Sequence, residues 1–423
     1  MLQISYIREH RDEVIQRLAV RNFTQTELVD ELIRLDEEIR SIKSKSESIA
    51  AEANAAAKQI GDLMRQGKRE EAETIKAQSG TYKEQTKGLQ EQLVQLEQDF
   101  HQKLVQLPNL PYKDVPAGTS ADDNEVVLEY GEKPVLPEDA LPHWELAAKY
   151  NIIDFELGVK VSGAGFPVYK GKGARLQRAL INFFLDQAGE QGYREVQVPI
   201  LINGDSGFGT GQLPDKEGQM YYVGADDLYL IPTAEVPVTN MYRDEILKEE
   251  DFPIKNTAYT PCFRREAGSY GAHVRGLNRL HQFDKVELVQ IVHPNQSYKV
   301  LEEMSTYVQT LLRKLELPYR VLRLCGGDMG FTSAMTYDME VWSGAQKRWL
   351  EVSSVSNFET YQSNRLKARF KGQDGKMQLA HTLNGSALAL PRIVACILEE
   401  NQSDRGIRIP SVLVPYTGFE WID

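Results

Sequence analysis

Charged and aromatic side chains alternate along residues 260–287, which read TPCFRREAGSYGAHVRGLNRLHQFDKVE. An arginine fork can bridge a phosphate and a carboxylate, an aromatic ring can stack on adenine, and a carboxylate can accept from an ammonium group. Together these three kinds of side chain suit the binding of ATP beside a small carboxylic acid. The segment therefore predicts an active site that forms an acyl-adenylate. The residues that carry this chemistry are Arg264, Glu266, Arg279, Phe283 and Glu287.

The same segment has the pattern of a β-hairpin. We predict strands at 259–266 and 279–292, joined by the glycine-containing sequence GSYGAHVRG. Side chains alternate between the faces of a strand, so Arg264 and Glu266 of the first strand should share one face. Arg279, Phe283 and Glu287 of the second strand should likewise share one face. Burial of unpaired charge costs several kcal/mol, which disfavours a purely structural core face, and leaves an exposed face with cross-strand ion pairs as the alternative.

The elements before this hairpin alternate between helix and strand. Apolar residues recur at helical spacing over 174–188, two glycines follow, and REVQVPIL at 194–201 reads as a strand. The sequence GKGA at 171–174 does not fit a phosphate-binding loop, because the preceding glycine has the wrong spacing and no serine or threonine follows the lysine. The prediction of nucleotide binding therefore rests on the hairpin.

A heptad pattern occupies the first part of the chain. Apolar residues step by four and three over 28–63 and again over 75–107, with turn residues GDLMRQGKR at 61–69 between them. This pattern predicts two antiparallel helices of about 40 residues, which form a coiled-coil arm about 60 Å long. Serine and alanine replace leucine toward the tip. The sequence therefore predicts a weaker seam there.

The arm differs in charge from the rest of the protein. Residues 58–87 carry seven basic and five acidic side chains, a local charge of +2, whereas the whole chain has a net charge of −12. The acidic total argues against general nonspecific binding of nucleic acid, so any such contact must be regional. The arm's charges leave two interpretations open, a solvated helix surface or a contact with nucleic acid.

Length and composition predict two domains in a cytoplasmic protein. A chain of 423 residues exceeds one ordinary core, and LPNLPYKDVPAGTSADDNEVV at 107–127 reads as a break between domains. We assign 1–110 to the arm, 111–127 to a linker and 128–423 to a second domain. The charged N-terminus and the lack of any run of about 18 apolar residues predict no membrane contact. Three widely spaced cysteines predict neither disulfides nor zinc.

Three motifs resemble those of class II aminoacyl-tRNA synthetases. FRRE at 263–266 resembles motif 2, REVQVPIL resembles motif 1, and LNGSALALPRIVACILEENQ at 383–402 resembles motif 3. Within that class, the whole chain is similar to the bacterial seryl-tRNA synthetase family. The features that carry this similarity are the helical hairpin, HWELAAKYNIIDFELGVKVSGAGF, TGQLPDKEGQMY, PTAE, HQFDKVE, EVSSVSNFETYQSNR and HTLNGSALA. The resemblance places the motifs at about 174–201, 259–287 and 383–402.

The resemblance implies an α+β fold, in which the coiled-coil arm precedes a catalytic domain built on an antiparallel β-sheet flanked by helices. It implies a ligase that activates L-serine with ATP to seryl-adenylate and transfers serine to tRNA(Ser), and to tRNA(Sec) where that system exists. It further implies a homodimer, in which the arm of one subunit grips a tRNA charged on the other. Mg²⁺ accompanies ATP, and no zinc is expected.

The resemblance also assigns roles to residues of this chain. The catalytic group comprises Arg264, Arg279, Arg392 and Glu351. The serine-binding group comprises Thr233, Ala234, Glu235, Arg264, Glu287, Asn384 and Ser386. The ATP-binding group comprises Arg264, Arg265, Glu266, Arg279, Leu280, Phe283, Glu351, Val352, Ser353, Ser354 and Arg392. The Mg²⁺ ligands are Glu351 and Ser354.

Two positions in these motifs carry structural expectations of their own. Glu351 and Ser354 have opposite parity, so a regular strand would not direct both at one ion. Either the strand contains a bulge or one residue acts through water. Pro391 lacks an N–H group and fits the first turn of a helix, which should therefore begin near it.

Two other classes of protein remain as alternatives. Another class II enzyme, such as a threonyl-, prolyl- or glycyl-tRNA synthetase, would be expected to carry a C-terminal anticodon domain, but the sequence ends soon after motif 3. A noncatalytic synthetase-like paralogue would be expected to lack part of the adenylate site, whose charged residues are all present here. A coiled-coil interaction protein would explain only 1–110.

Overall fold

The computed structural model describes residues 1–266 and 274–423. The chain divides into two compact units, one of residues 1–19 and 23–108 and the other of residues 20–22 and 109–423. Most of the predicted hairpin connection, residues 267–273, lies outside the described residues. No described helix has the length and apolar character needed to cross a membrane.

Residues 1–108 contain the predicted helical arm. The heptad leucines and isoleucines from Leu28 to Ile49 are buried, and Ile39 and Ile42 pack against Leu93 of the returning helix. An ion pair of 2.7 Å between Lys43 Nζ and Glu97 Oε1 also joins the two long helices. The helices of this part are α1 (Ile4–Glu9), α2 (Arg11–Val20), α3 (Glu27–Arg65) and α4 (Arg69–Leu104).

The turn between the long helices is shorter than the predicted 61–69. Helix α3 continues through Gly61, because one glycine in a helix interior costs only about 1 kcal/mol. The helix ends where Gly67 adopts a φ of 79°. The N–H of Lys68 then bonds to the carbonyl of Leu63, and that of Gly67 to the carbonyl of Met64. This is a Schellman cap, which only the second glycine satisfies.

The second unit is built on an antiparallel β-sheet, as predicted. Its strands are β1 (Glu125–Tyr130), β2 (Ile153–Asp154), β3 (Val168–Tyr169), β4 (Arg194–Glu195), β5 (Leu201–Ile202), β6 (Tyr221–Val223), β7 (Leu228–Leu230), β8 (Ile246–Leu247), β9 (Ile254–Phe263), β10 (Gln282–Val292), β11 (Tyr319–Arg323), β12 (Met335–Ser343), β13 (Arg348–Glu359), β14 (Arg369–Lys371), β15 (Met377–Leu379), β16 (His381–Ala389), β17 (Gln402–Ser403), β18 (Gly406–Arg408) and β19 (Trp421–Ile422).

Among the described residues, eight of these strands form the main sheet in the order β1-β11-β12-β13-β16-β10-β9-β4. All its pairs are antiparallel except β4 with β9. The edge strand β1 begins at Glu125, inside the segment assigned to the linker, because its residues pair with β11. The helices of this unit are α5 (His143–Lys149), α6 (Phe155–Val161), α7 (Gly171–Glu190), α8 (Gly204–Thr210), α9 (Glu235–Asn240), α10 (Ser297–Lys314), α11 (Tyr361–Leu366), α12 (Leu390–Glu400) and α13 (Val414–Thr417).

One face of the main sheet is apolar and packs against helices. Val286 and Leu288 of β10 lie in one buried cluster with Phe183 of α7, Met304 of α10 and Ile397 of α12. Since side chains alternate along a strand, the residues between these positions point to the opposite face. That opposite face carries the polar residues described next.

Candidate active site

The polar face of the main sheet brings together residues from three strands. Residues directly opposite each other on neighbouring antiparallel strands point to the same face. Glu287 of β10 lies opposite Ser386 of β16, and Asn384 of β16 lies opposite Ser356 of β13. The predicted serine-binding residues of β10 and β16 therefore share one side of the sheet.

A buried group of three polar side chains lies at one end of this face. Lys285 Nζ donates to Thr233 Oγ1 at 2.9 Å and forms an ion pair with Glu287 Oε2, to which the Thr233 hydroxyl donates at 3.0 Å. Glu287 is 1% exposed, yet its other oxygen, Oε1, has no hydrogen-bond partner among the described residues. A buried acceptor is normally satisfied. This oxygen can therefore receive an ammonium or hydroxyl group of a ligand.

Glu235 supplies a second buried carboxylate at the start of α9. Its Oε1 accepts from Gln362 Nε2 at 2.6 Å, and Gln362 Oε1 accepts from Thr382 Oγ1 at 2.7 Å. Burial and the charge of Glu287 raise the pKa of Glu235 to about 7, although the Gln362 bond and nearby cations oppose the rise. A carboxylate whose ionisation is opposed by burial and by a neighbouring carboxylate favours a cationic ligand.

The remaining predicted serine-binding residues differ in what they can offer. Ser386 is 8% exposed, and its carbonyl accepts from Ser353 Oγ at 2.5 Å, which ties β16 to β13. Asn384 is partly exposed on the same face. Ala234 is fully buried and can offer only backbone groups.

Strands β9 and β10 form the predicted hairpin, with bounds shifted from the predicted 259–266 and 279–292. Cross-strand pairing runs from Phe263 opposite Gln282 to the far end at Ile254. Arg279 therefore lies before the second strand rather than within it. The prediction that Arg279 shares a strand face with Phe283 and Glu287 is wrong for that reason.

The residues after β9 leave the extended conformation. Arg264 keeps one ladder hydrogen bond, from its N–H to the carbonyl of His281 at 2.9 Å. The N–H of the exposed Arg265 turns instead to the carbonyl of Gln219, also at 2.9 Å. Glu266 has a φ of 49°, which a strand does not allow. The prediction that Arg264 and Glu266 share a strand face is therefore wrong.

The predicted ATP-binding side chains contact one another at this end of the hairpin. The Arg264 guanidinium lies 5.2 Å from the centre of the Phe283 ring, within the range of a cation–π contact. Arg279 Nε and Glu266 Oε2 form an ion pair, in which the arginine side chain is 43% exposed. Leu280 is 4% exposed, so the backbone beside it is the part available to a ligand. The paired Arg279 side chain reaches solvent, whereas the Glu266 side chain is only 12% exposed.

Strand β13 contains the bulge that the spacing of Glu351 and Ser354 allowed. Ser353 and Glu351 lie opposite successive residues of β12, so Val352 is an extra residue in its strand. The extra residue restores common parity, and Glu351 and Ser354 share one face. The bulge is thus confirmed as the first of the two alternatives. The side chain of Val352 is 1% exposed, which leaves its backbone for a ligand.

Asp338 of β12, which the sequence reasoning missed, lies opposite Ser354. Burial, and then the charge of Glu351, raise the pKa of Asp338 well above its usual range, while a hydrogen bond with Ser354 lowers it. Its Oδ1 is buried without a hydrogen-bond partner among the described residues. Carboxylate and hydroxyl oxygens suit Mg²⁺, so this donor set fits the ion. No group of three or more His, Cys, Asp or Glu side chains in the described ranges could hold a metal.

Arg392 stands at the start of α12, one residue after Pro391, whose place in the first turn is confirmed. Its Nε donates to the carbonyl of Asn278 at 3.0 Å, and its Nη1 donates to the carbonyl of Glu351 at 2.6 Å. Nearby lies Arg348, also missed by the sequence reasoning, whose pKa is lowered by burial and by the charge of Arg392. Two neighbouring guanidinium groups provide a binding region for a polyphosphate.

Strand parity could have found two of the missed residues. Lys285 stands two positions before Glu287, and Asp338 two positions before Glu340, so each shares a face with an acidic neighbour. Gln362 gives no such signal, because it lies on the short helix α11 and only the tertiary fold brings it to Glu235.

Two family models match the chain. Residues 1–111 match the seryl-tRNA synthetase N-terminal domain, and residues 221–401 match the class II tRNA synthetase core domain of the G, H, P, S and T enzymes. The two matches fall on the helical arm and on the domain with the polar sheet face.

The chain is also similar to named proteins over its whole length. It is 52% identical to a serine–tRNA ligase of Salinibacter ruber, with 99% of this chain and 98% of that protein covered. It is 47% identical to a serine–tRNA ligase of Akkermansia muciniphila, with 100% and 99% covered. Among solved structures, it matches the seryl-tRNA synthetase of Pyrococcus horikoshii complexed with ATP at a TM-score of 0.93, with 33% identity and 100% and 99% covered.

Proposed function

The chain belongs to the seryl-tRNA synthetase family, and from that premise we propose how it works as a serine–tRNA ligase: the polar sheet face binds L-serine and ATP, forms seryl-adenylate and passes serine to tRNA. The observation that carries this proposal is Glu287 Oε1, a buried acceptor without a partner among the described residues. The alternatives of another class II enzyme or a noncatalytic paralogue are not favoured, since full-length relatives are serine–tRNA ligases.

Serine binds at the buried end of the face. Its α-ammonium lies between the carboxylates of Glu235 and Glu287, beside the Thr233 hydroxyl that is bonded to Glu287. Lys285 occupies Glu287 Oε2 and leaves Oε1 for the ligand. The substrate hydroxyl bonds to Glu287 and to the polar groups of β16, Asn384 and Ser386. A pocket built for a hydroxyl rejects alanine by about 10⁴-fold, because its buried polar groups would stay unpaired. Threonine is refused by the bulk of its methyl group.

ATP binds at the exposed end. The adenine ring stacks on Phe283 and its amino edge meets Glu266, while backbone near Leu280 and Arg265 borders the nucleotide. Arg264 joins the α-phosphate to the serine carboxylate. Arg279 and Arg392 hold the β- and γ-phosphates, and the backbone of 352–353 lies beside them. ATP binding therefore exchanges the Glu266–Arg279 ion pair for contacts with the ligand.

The reaction then needs positioning and charge stabilisation. A serine carboxylate oxygen attacks the α-phosphorus, the bond from that phosphorus to the bridging oxygen breaks, and pyrophosphate leaves with the electron pair. A carboxylate nucleophile carries no proton, so no general base is required for this step. Fixed arginines stabilise the negative charge that develops. In the second step, a hydroxyl at the 3′ end of tRNA takes the seryl group and AMP leaves.

The oxygen-bearing side chains of β12 and β13 would hold Mg²⁺ with the nucleotide. Glu351 and Ser354 share one face, and Asp338 adds a buried oxygen without a partner among the described residues. Bound there, the ion would neutralise charge on the phosphates and on departing pyrophosphate. The side chains of this chain orient the phosphates, with Arg392 held against Glu351.

The helical arm binds the tRNA that receives serine. Its middle and tip are locally positive within an acidic protein, which suits a phosphate backbone. We assign it to tRNA(Ser), and to tRNA(Sec) where that tRNA exists. The protein acts as a cytoplasmic homodimer, in which the arm of one subunit presents tRNA to the partner's active site. We keep 1–110, 111–127 and 128–423 as the proposed arm, linker and catalytic domain, with β1 of the catalytic sheet beginning at Glu125.

Serine-dependent exchange of pyrophosphate into ATP tests the first step. We expect exchange with L-serine and none with alanine or threonine at comparable concentrations. Exchange that is independent of serine, or equal with threonine, would contradict the proposed specificity.

Deletion of the arm tip tests the second step. Replacing residues 50–87 by a short turn should leave serine-dependent exchange within about twofold of the full chain and abolish transfer to tRNA, because it removes the proposed phosphate contacts and keeps every residue proposed to bind serine and ATP. Equal loss of both steps would refute the role of the arm in tRNA binding. A chain with Glu70 and Glu71 changed to Gln serves as a control with an intact arm.

A further inference from the structure

A buried carboxylate connects helix α12 to the segment that returns to β10. Glu399, close to the end of α12, accepts hydrogen bonds from His143 N at 3.0 Å, from His143 Nδ1 at 2.7 Å and from Gln346 Nε2 at 3.0 Å. The Ser343 hydroxyl donates to its other oxygen. Burial alone would raise the pKa of Glu399, but the bonds from His143 and Ser343 outweigh it and lower the pKa. Glu399 is therefore an ionised acceptor, and His143 Nδ1 carries the proton.

The other nitrogen of His143 holds the returning segment by its backbone. His143 is fully buried, and its Nε2 accepts the N–H of Leu277 at 2.8 Å. Gly276 has a φ of 68°, and a Cβ added there would lie 2.2 Å from His143 Nε2. The imidazole thus lies directly against the backbone of Gly276, and the bond to Glu399 fixes its tautomer.

A second branch of the same network reaches Arg392. Gln346 Oε1 accepts from Asn278 Nδ2 at 2.9 Å, and the carbonyl of Asn278 accepts from Arg392 Nε at 3.0 Å. Both branches meet at the short segment 276–278, which precedes Arg279 directly. Glu399 therefore fixes the backbone that precedes Arg279 and, through Asn278, the guanidinium of Arg392.

We propose that His143 and Glu399 are positioning residues for ATP: together they hold the segment 276–280 and, through Asn278, the guanidinium of Arg392 in the geometry that receives the phosphates. This inference rests on the proposed function of the site. Neither side chain touches substrate. The pair acts on the nucleotide through the backbone that it anchors, as a carboxylate and histidine orient a ligand in other buried sites.

Two substitutions at position 143 separate the bond to the segment from the bond to Glu399. An asparagine amide can replace Nδ1 but does not extend to Leu277, whereas a glutamine amide can replace Nε2. We expect His143→Asn to raise the KM for ATP about tenfold, the change expected for loss of one buried hydrogen bond. His143→Gln should stay within about threefold of the unchanged chain. The KM for serine should stay the same in both variants.

Ser343→Ala is the matched control. It removes one donor to Glu399 and leaves the bond to Leu277, so we expect a lower melting temperature with an unchanged KM for ATP. Should His143→Asn fail to fold, Gly276→Ala tests the contact from the other side, because its methyl group would displace the imidazole. That variant should raise the KM for ATP and also lower the melting temperature, because alanine is strained at a φ of 68° and the displaced imidazole loses its buried bonds.

Steady-state pyrophosphate exchange, thermal melting and calorimetric titration with ATP alone provide the readouts. Equal ATP affinity in His143→Asn and His143→Gln, or equal rises in the KM for serine and for ATP, would overturn the inference. Calorimetric binding of ATP does not require serine chemistry. Weaker calorimetric ATP binding in the variants is therefore distinguishable from failure of the proposed function. Serine-dependent exchange by the unchanged chain tests that function separately.

Discussion

The two ends of the polar sheet face hold their charges in different ways. At the serine end, Thr233, Lys285 and Glu287 are each 5% exposed or less and are joined by hydrogen bonds. At the ATP end, Glu266 and Arg279 form an ion pair in which the arginine side chain is 43% exposed. The first group is buried with one acceptor left open, whereas the second is neutralised by an internal partner that ATP must displace.

This difference indicates how each end contributes to selectivity. Buried groups lose several kcal/mol when a partner is missing, so the serine end discriminates strongly between closely related ligands. Exposed ion pairs contribute about 0–1 kcal/mol, so the ATP end can exchange its contacts at little cost. We therefore expect substitutions of equal size to have larger effects at the serine end.

Glu287→Gln should have the largest effect. The amide keeps the volume of the side chain but removes the charge that Lys285 and the serine ammonium both face. We expect kcat/KM for serine to fall about 10³-fold, as when one partner of a buried ion pair is lost. Pyrophosphate exchange measures this, with a calorimetric ATP titration as control. An equal loss of ATP affinity would break the distinction between the two ends.

Arg264→Lys should have the next largest effect, because this residue lies between the two ends. Lysine keeps the positive charge but loses the fork that can meet a phosphate and a carboxylate together. We expect kcat for exchange to fall about 10²-fold, with smaller changes in either KM. Rapid-quench measurement of adenylate formation would report the chemical step directly. A change confined to the KM for ATP would place Arg264 wholly in the ATP end.

Glu266 should tolerate loss of its charge, unlike Glu287. Glu266→Gln keeps an oxygen acceptor for the adenine amino group and releases Arg279, so we expect the KM for ATP to change less than about threefold. Glu266→Ala removes the acceptor and should raise the KM about tenfold. If the glutamine variant were as impaired as the alanine variant, the ATP end would depend on buried charge after all.

The sequence predicted the parts of this site that lie on regular strands. Phe283 and Glu287 follow the period of two, and the opposed parity of Glu351 and Ser354 correctly allowed a bulge. The helical arm followed from its heptads. Local spacing was sufficient in these cases because one element fixes the direction of each side chain.

Prediction was less successful where the backbone leaves regular structure or where partners are distant in sequence. Arg264 and Glu266 lie after the end of β9, and the left-handed φ of Glu266 has no marker such as glycine. Gln362 reaches Glu235 across 127 positions, and His143 reaches Glu399 across 256. Burial of such polar pairs is decided by the tertiary fold, which spacing within one segment does not encode.

The pH dependence of serine binding should give the smallest effect and the most direct view of the buried end. Folding raises the pKa of Glu235 from 4.5 to about 7, so the folded protein holds a proton that the unfolded chain has lost. The free energy of unfolding therefore decreases as pH rises between these values.

The serine ammonium needs the ionised Glu235 carboxylate, whose fraction grows from about one tenth at pH 6 to about three quarters at pH 7.5. We expect the KM for serine to fall about eightfold over that interval while the KM for ATP stays nearly constant. Glu235→Gln should remove this pH dependence at the cost of weaker serine binding. A parallel pH dependence of both KM values would show that the titrating group serves both ends.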